Sequence, residues 1–94
     1  MLSYLKDHIL EEINGANEYM QKAVEHKGTS CGEMFKTMAK METEHANALY
    51  NMFRKQEKPI TMSDADYAKM LKEILDKFAD GMAKFESLKK LYYM

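Results

Sequence analysis

Apolar residues recur three and four positions apart through most of this chain, which is the spacing of one helical face. Leu5, Ile9, Ile13, Ala16, Met20, Ala23 and Val24 predict a first helix over about 4–27. Gly28 follows as a left-handed C-terminal cap. Ser30-Cys31-Gly32-Glu33 has the S-x-x-E form of a capping box and predicts the start of a second helix. Met34, Phe35, Met38, Met41, Leu49, Met52 and Phe53 carry its face until the pattern fades at Lys58-Pro59. Ser63-Asp64-Ala65-Asp66 predicts a further N-terminus, with acids beside the positive end of the helix dipole. The third helix runs to about Tyr92. No alternating pattern of the kind a strand needs is present, so the expected fold class is all-α. The few residues between the first two helices predict an antiparallel hairpin over 4–58.

The third helix has a regular 4-3 pattern: Tyr67, Leu71, Ile74, Phe78, Gly81, Phe85, Leu88 and Tyr92. Such a seam is read as core or oligomer interface, so 63–92 is assigned to packing. Gly81 on that seam costs about 1 kcal/mol of helix propensity relative to alanine, and predicts a close backbone approach or a kink. The chain is expected to form a single domain over 1–94.

Three polar residues break the pattern. A helix turns about 100° per residue, so with Ile9 as the centre of the first face, Glu11, Glu18 and Glu25 lie about 160–200° away, toward solvent. Glu12 lies only about 60° from that centre. With Met38 as centre of the second face, Glu42 falls at about 40° and His45 at about 20° on the other side. Glu12 lies 16 positions before Gly28, and Glu42 and His45 lie 14 and 17 after it, so all three point into one layer of the hairpin. Isolated charges there would cost several kcal/mol each, on the order of the penalty for an unpaired buried ion. Either a partner compensates them, or the face is not buried there.

Composition narrows the choice of partner. The 14 basic and 15 acidic residues give a formal charge of −1 and are scattered, which argues against nucleic acid and anionic membrane. No run approaches the roughly 20 apolar residues of a membrane span, and the N-terminus lacks the apolar core of a signal peptide. The expected location is the cytoplasm. Cys31 is the single cysteine, so neither an internal disulfide nor a Cys-x-x-Cys metal knuckle is available.

A Glu on one helix and Glu-x-x-His on its antiparallel neighbour is half of a carboxylate-bridged dinuclear metal site. Carboxylates and imidazole suit iron or manganese, and zinc as well. One chain supplies two Glu and one His, too few for two ions. Glu73, Asp76, Asp80 and Glu86 of the third helix lie off its apolar stripe and do not complete the set. Two hairpins about a two-fold axis would supply four Glu and two His, so the metal reading predicts a homodimer with two ions at its interface. The alternative is a metal-free interaction or assembly module, whose Glu and His form a buried polar layer that fixes register.

Residues from about 10 to 53 resemble the first hairpin of the ferritin-like superfamily, nearest to rubrerythrin. The stretches that carry the resemblance are Glu12-Ile13-Asn14-Gly15-Ala16-Asn17-Glu18-Tyr19 and Met41-Glu42-Thr43-Glu44-His45-Ala46. A second metal-binding hairpin is absent, which makes the chain similar to half-length, encapsulated-type ferritins that assemble a four-helix bundle by dimerisation. The Lys89-Lys90-Leu91-Tyr92-Tyr93-Met94 ending does not resemble the targeting tail of that type. No counterpart of the third helix is recognised in the resemblance. It implies iron, with Glu12 and His45 as terminal ligands and Glu42 with its symmetry mate as bridges. The activity it implies is oxidation of Fe(II) by dioxygen or peroxide. Tyr19 takes the place of a family tyrosine beside the site.

Other residues are read more plainly. Ten methionines at these spacings are core filler. His8 and His26 fall at the boundary of the first helix's face and are expected to be solvated. Cys31, near the start of the second helix, has no base or resolving cysteine in the sequence around it and is read as incidental.

Overall fold

A computed structural model describes all 94 residues, which form three helices and their connections: α1 over Leu2–Glu25, α2 over Ser30–Arg54 and α3 over Asp64–Tyr92. The arrangement is long and narrow, 52 × 18 × 15 Å. α1 is the central element and packs along both α2 and α3. No helix is long and apolar enough to cross a membrane.

The turns follow from local chemistry. Gly28 has φ +86°, the left-handed conformation that a residue without a Cβ adopts at no steric cost, and the chain reverses there into the α1–α2 hairpin. The cap of α2 differs by one residue from the expected Ser30: the Thr29 hydroxyl accepts from the Gly32 N–H at 3.1 Å, and Ser30 is the first helical residue. Thr29 is extended, with φ −117° and ψ 163°, the backbone an N-cap needs, and it also donates to the His26 carbonyl. A residue tied to both helix ends outcompetes its neighbour for the cap position. Ser63 caps α3 as expected, accepting from Asp66 N–H at 3.1 Å. α2 stops at Arg54, short of Pro59.

The core forms two clusters along α1. One joins Leu2, Leu5, Ile9 and Ile13 to Ala46, Phe53 and Ile74; the other joins Ala16, Met20 and Ala23 to Ala39, Phe85, Leu88 and Tyr92. Burying each large apolar side chain contributes roughly 1.5–3 kcal/mol, so these few residues specify how the helices pack. Near one end, the Tyr50 and Phe78 rings stack with centroids 4.4 Å apart. At the other end, Tyr92 donates its hydroxyl to Glu33, whose carboxylate also pairs with Lys36 at 2.9 Å.

α3 crosses α1 at Gly81, and this is a close approach rather than a kink. A methyl at Gly81 would stand 2.1 Å from Ile13 Cγ2, far inside van der Waals contact. Beside it the Asn17 amide donates to the Gly81 carbonyl at 3.1 Å and to the Ile13 carbonyl at 3.2 Å. Asn17, only 7% exposed, thus pins α3 to α1 at one register.

The face of α2 that α1 covers is not the one expected from the sequence. Its buried residues are Gly32, Ala39, Thr43, Ala46 and Phe53, centred about 100° around the helix from Met38. Met34, Met41 and Met52 remain 55%, 50% and 49% exposed. Small side chains let α2 sit close to α1, so the alanine–threonine edge turns inward and the methionine stripe is left on the surface. α2 therefore carries two apolar faces, of which the chain itself uses one.

Candidate metal centre

The three polar residues converge. One ligand atom from each of Glu12, Glu42 and His45 lies within 4.8 Å of the others. α1 supplies Glu12 at its middle, and α2 supplies Glu42 and His45 one turn apart, so hairpin pairing at Gly28 fixes their common height. His45 Nδ1 lies 3.6 Å from Glu12 Oε2. The two glutamates are half-buried, whereas the His45 side chain is 58% exposed. Around α2, His45 and Glu42 lie about 20° and about 40° from Met38, so the exposed side of the cluster borders the methionine stripe.

The electrostatics are those of donors without enough positive charge. The Glu42 carboxyl is pushed up to about 7, first by hydrogen bonding with Glu12, then by burial and by the Glu12 charge, with His45 pulling it slightly down. Glu12 Oε2 is buried with no hydrogen-bond partner while both acids are ionised. A proton on Glu42 would supply one. A divalent cation would do so more completely, because it faces both carboxylates and the imidazole at once.

Three features of the chain agree with a metal as that partner. The donor set is two carboxylates and one imidazole, the chemistry of iron, manganese or zinc sites. The buried Glu12 oxygen is aimed at the cluster without a donor. Gly15, one turn beyond Glu12, leaves a notch that the Glu42 carboxylate occupies: a Cβ there would meet Glu42 Oε2 at 3.0 Å. Nothing in the residue pattern marked Gly15. It is one small residue in an acidic turn, and its contact with Glu42 exists only once the hairpin is paired.

The remaining candidates fall elsewhere. Tyr19 stacks on Phe35, centroids 6.2 Å apart, two turns from Glu12 and outside the cluster. His8 packs on Tyr4 and faces Glu11 at 3.8 Å, and His26 lies beside Phe35. Cys31 is exposed. Glu73 is engaged by Lys6 and Lys77 at 3.2 and 3.1 Å and is not among the clustered donors.

No curated protein and no solved structure gives a match to this chain. The family model described as Rubrerythrin matches residues 3–91. The match runs through α3, so the third helix lies within the family domain and is not the unmatched addition the sequence comparison implied. Iron binding is what this family implies, and the Glu12–Glu42–His45 group is a donor set for it. The chain belongs to the rubrerythrin family, within the ferritin-like superfamily.

Proposed function

We propose that two copies of this chain meet through the exposed methionine stripe of α2 and together hold two iron ions between Glu12, Glu42 and His45 of each copy. The observation that carries this reading is the position of the cluster. Three metal donors, one of them a buried oxygen without a partner, open onto an apolar face that the chain's own helices leave bare. An exposed apolar face of this kind marks an interaction surface.

One chain offers three ligand groups, and a two-fold axis through the stripe doubles them to four carboxylates and two imidazoles. Four carboxylate charges balance two divalent cations, so the centre is neutral when filled. Glu12 and His45 would serve as terminal ligands, one set for each ion. Glu42 and its symmetry mate would be the ligands shared between the two ions, as the family resemblance implies. When bound, the two irons would supply two electrons to dioxygen or peroxide, in an Fe(II)-oxidising reaction. The chain's part in this is to hold the ions adjacent. Dimerisation would bring the half-exposed His45 away from bulk water, and the methionine stripes would line the surroundings of the centre.

Elemental analysis of protein made in iron-supplemented medium tests the metal assignment. About one iron per chain is expected, falling to a trace in Glu12→Ala and in a Glu42→Ala, His45→Leu double variant. Metal-free wild-type protein whose stability rises in that double variant would favour the polar-layer module instead.

A further inference from the structure

Helix interiors disfavour glycine, so each glycine found there calls for a reason. Gly81 has one in its approach to Ile13. Gly15, in the middle of α1, has no such crossing. The three atoms nearest to a methyl built at position 15 all belong to Glu42: Oε2 at 3.0 Å, Cδ at 3.6 Å and Cγ at 4.0 Å. The space that Gly15 leaves open is therefore filled by one group, the Glu42 carboxylate.

Resting on the metal reading above, we propose that Gly15 is a positioning residue of the centre, whose missing side chain sets the room in which the Glu42 carboxylate turns. Glu42 is the ligand assigned to serve two cations, so its orientation decides how both are held. Gly15 stands one helical turn from Glu12 and on the same side of α1, so it forms the floor beneath the two carboxylates. A methyl at that point would tilt the end of the Glu42 side chain, which is flexible and gives way, and would leave the backbone and the core untouched. The cost falls on metal binding, because the ligand is displaced from the position that the missing side chain allows. Groups that orient ligands in this way change metal affinity by about 10- to 100-fold when altered.

The test uses the full chain and Mn(II), a divalent ion stable in air, titrated calorimetrically, with thermal melting of the metal-free protein alongside. Gly15→Ala is expected to weaken Mn(II) binding by about tenfold or more, while the metal-free melting temperature holds or rises, because alanine favours the helix. In a Glu42→Asp background, which draws the carboxylate back from position 15, the same change is expected to cost much less. Wild-type affinity in Gly15→Ala would overturn the inference. So would a loss matched by a lower metal-free melting temperature, or an equal loss in the Glu42→Asp background. Failure of the wild-type chain to bind Mn(II) or Fe(II) at all would overturn the metal reading itself, and this inference with it.

Discussion

His45 Nδ1 faces Glu12 Oε2 at 3.6 Å across the α1–α2 hairpin, although the two residues are separated by a full helix reversal. The pair is loose for an ion pair and leaves the glutamate oxygen without a donor. That spacing leaves both groups free to face one shared cation, as the proposed centre requires. His45→Ala is expected to abolish tight metal binding yet change metal-free stability by less than about 0.5 kcal/mol, since the side chain is largely exposed. Calorimetric titration and urea unfolding of the same preparation check both halves.

Glu42 gives a pH signature. Its carboxyl is raised in the folded chain to about 7, chiefly by Glu12. Its stabilising contribution is therefore fully present below the ordinary carboxylate range and is lost as pH rises through about 7. Metal-free protein should melt progressively lower between about pH 5 and about pH 8, and Glu42→Gln should flatten that slope. A bound cation favours the ionised form and should reverse the trend, with metal-induced stabilisation growing as pH rises. Melting curves at a series of pH values, with and without Mn(II), read both effects.

The outer methionine face gives a third expectation. Met38 lies one helical turn from both Met34 and Met41, on the stripe they form with Met52, so Met38→Lys should prevent association of two copies while leaving the α1-facing edge of α2 intact. Sedimentation equilibrium across a concentration series should show a monomer with a normal helical spectrum.

Gly81 and Thr29 test the scaffold. Gly81→Ala places a methyl 2.1 Å from Ile13 Cγ2 and should destabilise the chain by about 1–3 kcal/mol, as overpacking does, despite alanine's better helix propensity. Thr29→Ala should cost about 1 kcal/mol through loss of the cap, and Ser30→Ala far less. Chemical unfolding of the three variants distinguishes these outcomes.

Much of this was legible in the residue pattern because helical spacing is a local property. The three helices, the Gly28 reversal and the Ser63 cap need only the chain's own periodicity and turn chemistry. Glu12, Glu42 and His45 could be brought to one height because two antiparallel helices share one rise per residue. What escaped depends on distances between helices. The apolar face of α2 spans both Met38 and Ala39, and periodicity does not say which edge α1 will cover. Close packing through Ala39 and Ala46 decides it. Thr29 won the cap over Ser30 by also bonding to the His26 carbonyl three residues back, a contact set by the conformation of the Gly28 turn. Gly15 and Asn17 likewise acquire their roles only from Glu42 on α2 and Gly81 on α3.

Native mass spectrometry of the metal-free chain titrated anaerobically with Fe(II) bears most directly on a centre shared between two copies. The expected species is a dimer carrying two irons, absent when Glu42 and His45 are replaced by alanine and leucine. A chain that remains monomeric at every iron concentration, or a dimer whose mass never includes iron, would contradict it.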